Sequence, residues 1–398
     1  MKTIKIYLLI IGMTALINNT TVAGALDGLT INNSNADLNN YLKQHDEGWF
    51  AYSIPAAENT RSMCCFNKGK QAVCDLSKNQ HDYGSSNDNK LTENINIFVN
   101  LKQGQVRRIL PVGDHCEVKS DGSTVDWLTA VDEQQSISWL KTSVTANIEE
   151  RHNDSLYVLS LHQSTAAAEA LYKLAKHNVN HYSEQAIFWL GQRQQDGFKH
   201  LESLYQSLPH GELRHSLNFA LSENNNAASK QLLREIAQND PDQEQQADAI
   251  FWLSQSDDTT DLPDFLIHLI DLSDSPTVKE KAIFSLSQIG TDEANGQLMK
   301  LVKDHTDAKV REKALFWLAQ NDPESAQYSA IELLKSKRQE SEQENAVFVL
   351  SQLPNDTAVT ALFEIVKGDY NRSIKKKALF WLSQSDDEDT LKQLEEIL

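Results

Sequence analysis

The chain has 398 residues, 40% of them hydrophobic, with only 15 Gly and 8 Pro, so it can build a substantial core. It is neither collagen-like nor broadly disordered, and its length suggests two or three domains. Asp and Glu number 56 against 37 Lys and Arg, a formal net charge of −19. That balance argues against a nucleic-acid surface, where basic side chains must displace counterions, and against docking on anionic lipid.

Residues 1–25 read as a secretory signal. Lys2 and Lys5 precede an apolar run from Ile6 to Ile17, and Ala23-Gly24-Ala25 supplies small residues for cleavage. Ala25 is the preferred cleavage point and Ala23 the second. The run is too short to span a membrane, and no later segment is long and apolar enough. No Cys follows the small residues, so no lipid anchor is expected there. Export to the periplasm or outside the cell is the implied localisation.

All four cysteines lie in one stretch: Cys64, Cys65, Cys74 and Cys116. An even count in an oxidising compartment points to disulfides. A bond between the adjacent pair would be strained. Two connectivities remain: Cys64–Cys116 with Cys65–Cys74, or Cys65–Cys116 with Cys64–Cys74. The first is preferred, because Asn67-Lys68-Gly69-Lys70 reads as a hairpin turn between short strands. A metal or redox site using these cysteines and His115 is the alternative, although no C-x-x-C is present and the spacing fits no zinc template.

The surrounding stretch reads as β. Trp49 to Ile54 forms a strand ended by Pro55. Ile95–Leu101 and Val106–Val112 flank Lys102-Gln103-Gly104-Gln105 as a hairpin. His81 to Lys90 reads as a loop, Asp121-Gly122 as a turn, and Val125 to Leu128 as a last strand. From Asp132 the spacing becomes helical, with Ile137, Leu140 and Val144 on one face. The expected division is therefore a signal over 1–25, a small disulfide-stapled β-rich domain over 26–130, and a helical region over 131–398.

That helical region repeats. Segments of the form Ala-Ile-Phe-Trp-Leu begin at positions 155, 186, 217, 249, 282, 314, 346 and 378, at steps of 31 to 33 residues. Each unit has room for two helices. Asp307 to Leu318 makes the first; Asp322 is a natural N-cap with Pro323 at the first position of the second, where Tyr328, Ile331 and Leu334 share a face. One helix pair cannot bury its apolar sides, but stacked pairs can, which defines an α-solenoid.

The spacing Val310-Arg311…Ala314…Leu318…Asn321-Asp322, repeated at Val278-Lys279…Ala282…Leu286, resembles the HEAT repeat in the short form shared with phycobilisome lyases. The resemblance covers about residues 143–398 and implies a right-handed α-solenoid of about eight helix pairs. The whole layout is similar to exported bacterial HEAT-repeat proteins with a Cys-containing front domain. For function, it implies protein binding more than catalysis. Deoxyhypusine hydroxylases share the fold and hold two irons with His-Glu dipeptides, and this sequence contains no His-Glu. Phycobilin lyases perform a cytoplasmic chemistry that an exported chain would not meet. There is no phosphate loop, nucleophile elbow or H-E-x-x-H. His177 and His181 sit four apart, but two surface histidines are the commoner case. No cofactor, resident metal or catalytic residue is expected.

At about 100° per residue, Val310, Ala314, Leu315, Trp317 and Leu318 form a broad core face. Phe316 and Gln320 fall on the opposite side. The aromatic recurs as Tyr157, Phe188, Phe219, Phe251, Phe284, Phe316, Phe348 and Phe380, and the amide as Gln192, Gln255, Gln288, Gln320, Gln352 and Gln384. Two readings stand: a continuous Phe/Gln stripe that binds an extended partner, or a second seam of core. Trp189, Trp252, Trp317 and Trp381 alternate with Ala220, Ser285 and Val349, which reads as interdigitating packing. Acids recur at the inter-helix turns (Asp257-Asp258, Asp292-Glu293, Asp322, Asp356 and Asp386 to Asp389). They read as helix caps before weak calcium sites or attraction for a basic partner. The sequence thus predicts a non-catalytic protein–protein interaction scaffold or adaptor of the bacterial cell envelope. A thiol-redox, metal-binding or other enzymatic module at the cysteines is the alternative.

Overall fold

The computed structural model describes residues 28–61, 63–67, 70–78, 83–85, 91–145, 152–177, 180–224, 226–256, 258–336, 338–385 and 387–396. The expected signal segment lies outside them, as does most of the 81–90 loop. The chain divides after Ala167 into two compact units.

The first unit is built on a mainly hydrophobic sheet. Strands β1 (Gly28–Ser34), β2 (Gly48–Pro55), β3 (Met63–Asn67), β4 (Lys70–Ala72), β5 (Cys74–Asp75), β6 (Tyr83–Ser85), β7 (Asn94–Lys102), β8 (Gln105–Gly113) and β9 (Val118–Leu128) accompany helices α1 (Leu38–Gln44), α2 (Glu133–Thr145) and α3 (His152–Leu161). The main sheet runs β1-β9-β2-β7-β8, with β5 paired to β9; β4-β3-β6 form a second, small sheet. The β7–β8 hairpin forms where the sequence places it. Lys102 pairs with Gln105, and Gln103 and Gly104 both take positive φ, 55° and 68°, as the tight two-residue turn requires. Strand β9 corrects the expected Asp121-Gly122 turn: it begins earlier and runs through those residues. Its pairing with β1 jumps from Gly28↔Lys119 to Thr30↔Thr124, so the turn chemistry forms an excursion within one strand.

Residues alternate across β2. On one face Ala51 joins Phe98, Val112, Val125 and the four buried cysteines in one core. On the other, Phe50 packs with Tyr41 of α1 and Trp139 of α2, at ring-centroid distances of 5.1 and 6.2 Å. Both faces of the central strands are therefore covered, which explains their nearly continuous apolar runs. A fully buried hydrogen-bond chain joins three elements. Tyr52 Oη lies 2.8 Å from Ser136 Oγ, which lies 2.9 Å from His162 Nε2; His162 Nδ1 lies 2.8 Å from the Val158 carbonyl. The carbonyl assigns the proton to Nδ1, so Nε2 accepts from Ser136. Tyr52, Ser136 and His162 are all sealed from solvent, and burial raises the Tyr52 phenol above its ordinary range. This constellation ties α2 and the end of α3 to the sheet, so both belong to the compact first unit.

The second unit is helical throughout its described residues. After α4 (Thr165–Lys176), which spans the division, come seven pairs. They are α5 (Asn180–Gly191) with α6 (Gln194–Ser207), α7 (Glu212–Glu223) with α8 (Ala227–Asn239), α9 (Gln243–Ser254) with α10 (Leu262–Leu272), and α11 (Pro276–Ile289) with α12 (Asp292–Asp304). Then follow α13 (Ala308–Asn321) with α14 (Pro323–Lys335), α15 (Glu340–Ser351) with α16 (Asn355–Lys367), and α17 (Arg372–Leu382) with α18 (Glu388–Glu395). These helices form a HEAT-like arrangement in the phase set by the repeat. First helices of neighbouring pairs pack closely on one another, and second helices meet each other far less.

Caps set the boundaries. Asp242, Ser275, Thr291, Asp307, Asp322, Asn371 and Asp387 each accept from a backbone amide of the helix they open. Asp258 instead accepts from the Thr260 amide and hydroxyl at 3.3 and 3.0 Å. Asp257 and Asp386 lie outside the described residues. Gly290 closes α11 in the left-handed region at φ 65°. Gly197 lets the start of α6 sit against the end of α5: a Cβ there would fall 2.0 Å from the Leu190 carbonyl.

In four repeats the residue three before the repeat Ala or Leu has a shared task. Arg214, Gln246, Arg311 and Gln343 reach back to carbonyls at the end of the preceding second helix or just beyond it: Tyr205 and Leu208, Gln238, His305 and Thr306, Leu334 and Ser336. These are carbonyls a helix end leaves without an intrahelical partner. Two positions are corrected. Tyr328, expected to share a face with Ile331 and Leu334, is 62% exposed, whereas Leu334 is buried and Ala326, Ala330 and Leu333 supply the rest of the buried side of α14. Trp189, Trp252, Trp317 and Trp381 are half-buried, while Ala220, Ser285 and Val349 at the same place are buried. The core face is turned toward Leu315, which is fully buried.

Candidate functional site

The repeated Phe of each first helix lies opposite the Ala–Leu seam, and its environment falls between the two expectations. Phe188, Phe219, Phe251, Phe284 and Phe348 are half-buried; Phe316 and Phe380 are 37% and 52% exposed. Every Gln of the series, at 192, 255, 288, 320, 352 and 384, is exposed. The aromatics touch from repeat to repeat. Phe188 stacks on Phe219 at 5.9 Å, Phe219 meets Trp252 at 4.7 Å, Trp252 meets Phe251 at 5.1 Å, and Phe251 stacks on Phe284 at 6.4 Å. The row continues through Phe284–Trp317 at 4.8 Å and Trp317–Phe316 at 5.1 Å, and recurs as Phe348–Trp381–Phe380. The Trp column therefore belongs to this row. It fills every second interval, which a helical wheel of one isolated helix does not show.

A serine before the Gln organises the polar edge. Ser254, Ser287, Ser351 and Ser383 donate to the carbonyls of Phe251, Phe284, Phe348 and Phe380 at 2.6 to 2.7 Å. Gln255 and Gln352 then donate Nε2 to the serine oxygen at 3.3 and 3.2 Å, leaving their amide oxygens as outward acceptors. Gln192 instead donates to Glu223 at 3.4 Å. Lys281 holds its ammonium over two rings of the row, 5.4 Å from Phe251 and 5.5 Å from Phe284. Sequence spacing identified the Phe and Gln columns; the serine recurs with the same period, at 160, 222, 254, 287, 351 and 383, and could have been found the same way, whereas Lys281 has no periodic counterpart.

The cysteines form Cys64–Cys116 and Cys65–Cys74, with all four residues buried. In the pairing of β3 with β4, Cys65 faces Ala72 across the expected hairpin, which brings Cys74 within reach. His115 is paired with Asp114 at 3.3 Å. His177 is exposed, and the side chain of His181 lies outside the described residues. Among the described residues no three His, Cys, Asp or Glu side chains converge, and no helix is long and apolar enough to cross a membrane. A groove of about 510 Å³ lies between α12 and α14, floored by Met299, Val302 and Leu333 and edged by Tyr328, Lys300 and Arg338.

Residues 230–319 match the family of HEAT repeats, and this segment is a run of such repeats. Among solved structures, the chain is similar to the complex of CpcE and CpcF of phycocyanin lyase from Nostoc sp. PCC7120. The match has 18% identity and a TM-score of 0.29, and covers 58% of this chain and 92% of that one. It is also similar to human deoxyhypusine hydroxylase in complex with glycerol, at 14% identity and a TM-score of 0.28, covering 63% of this chain and 96% of that one. No curated protein matches the sequence.

Proposed function

We propose that this chain is a non-catalytic protein-interaction scaffold or adaptor of the bacterial cell envelope, and that the aromatic/Gln row of the first helices is its partner-binding face. HEAT repeats suggest protein partners. One observation carries the assignment of the face: a repeated large aromatic remains at the surface, 37% exposed at Phe316 and 52% at Phe380, beside exposed amides. A seam of core would bury those rings in every copy. Two buried disulfides support an oxidising, exported location. The thiol-redox alternative needs an accessible sulfur, and burial of all four cysteines supports a structural role for them.

The test is capture from envelope extract on the full chain, comparing wild type with Phe316→Ser and Phe380→Ser. Loss of the captured partner with little change in melting supports the face. A partner retained by both variants rejects it.

A further inference from the structure

Charge varies along the row: the first helices α5 to α9 and α15 are acidic, α11 and α13 are mixed, and α17 is basic. Helices α5, α7 and α9 carry Glu184, Glu212, Glu223, Glu244 and Asp248. Their one Arg or Lys, Arg214, is bonded to Asp240 at 2.9 Å and to two carbonyls. Helix α17 at the other end has Arg372, Lys375, Lys376 and Lys377 and no acid. Between them the chain supplies its own trial ligand. Lys281 places a cation over Phe251 and Phe284, so the stacked rings accept an ammonium in this environment.

From the ring row, the acids beside it and this internal cation, we infer that the α5–α9 stretch docks an extended peptide segment bearing Lys or Arg at alternate positions. Three features fit such an occupant. Alternate side chains of an extended peptide recur on one side every ~6.6–6.8 Å, near the two stacked steps of 5.9 and 6.4 Å, between which Trp252 bridges Phe219 and Phe251 at 4.7 and 5.1 Å. Ring faces and the Gln255 amide oxygen offer sites to cations and N–H donors. Glu223 and Asp248 supply charge at the edge, and Asp248 already draws His215 to 3.4 Å. A peptide of the opposite charge would meet repulsion along the same stretch. The inference rests on the aromatic row being the partner-binding face.

The test is calorimetric titration of the full chain with three 12-residue peptides, alternating Lys–Ala, Ser–Ala and Glu–Ala. Lys–Ala is expected to bind about tenfold tighter than Ser–Ala, as two cation–ring contacts would give. Phe219→Leu and Phe251→Leu keep the bulk and remove the ring face; each should weaken Lys–Ala binding about two- to fivefold. Lys281→Gln removes the resident cation and should tighten it. If all three peptides bind equally and the Leu variants weaken all of them, the cation preference is overturned while the binding face stands. If no peptide binds, or if Lys–Ala binding ignores both Leu variants, the inference falls, while the face, carried by Phe316 and Phe380, stands or falls by the capture experiment.

Discussion

Arg311 and Glu342 show what a single residue can hold together. Both are buried, and Arg311 Nε donates to Glu342 Oε1 at 2.7 Å, joining α13 to α15 across a repeat boundary. The same guanidinium bonds the His305 and Thr306 carbonyls, so every part of it is engaged. Removing one partner strands the other charge in the interior, whereas replacing both with apolar residues removes the problem. Glu342→Ala is expected to lose about 3–5 kcal/mol in urea unfolding, and Arg311→Met with Glu342→Leu to recover most of that loss. Equal losses in the two variants would contradict this. Carboxylates at helix caps and turns act in the same local way. Hydrogen bonds from Ser325, Thr390 and Ser77 hold Asp322, Asp387 and Asp75 below the usual carboxylate range. A depressed folded pKa contributes stability above the unfolded value, near 3.9, and that contribution disappears as pH falls through the folded value. Melting temperature should therefore fall steeply below about pH 4, and less steeply in Asp322→Asn, which keeps a capping oxygen without the charge.

Elements were legible in the sequence wherever their signal was periodic or local. The 31- to 33-residue period set the phase of the helix pairs, and Asp322-Pro323 marked the start of α14. The β7–β8 hairpin was equally plain, since its two strands and turn are contiguous. Strands β1 and β5 were not legible: both pair in parallel with β9, far along the chain, and β1 is polar at most positions. The Tyr52–Ser136–His162 chain was hidden for the same reason. The Trp column was assigned to the core because a wheel places residues around one helix only. In the stack, the aromatic of the previous first helix draws Trp252 and Trp317 outward. The two disulfides also act on elements, and loop length separates them. Cys64–Cys116 spans 52 residues and Cys65–Cys74 spans 9. The chain-entropy relation gives ~4 and ~2.6 kcal/mol for these loops. Replacing Cys64 and Cys116 with Ala should thus destabilise the β-rich unit more than replacing Cys65 and Cys74. The reverse order in thermal melts would show that packing around the small hairpin dominates.

At the scale of the whole molecule, the charge follows the array. Residues 151–398 hold 39 Asp and Glu against 24 Lys and Arg, most of the excess of the chain. Part of that excess caps helices, and part lies beside the ring row. Stacked repeats gain stability from their neighbours, so the surface of the stack can vary while the Ala–Leu seam stays fixed. The proposed binding face, the row of Phe, Trp and Gln, is repeated in that surface. Site-specific photo-crosslinking in envelope extract tests it most directly, with the reactive side chain placed at Gln255 in the row or at Tyr328 on α14. A partner crosslinked from Gln255, lost in Phe219→Leu and absent from Tyr328, is the predicted result. Crosslinking from Tyr328 with none from Gln255 would contradict it and move the binding face to the second helices.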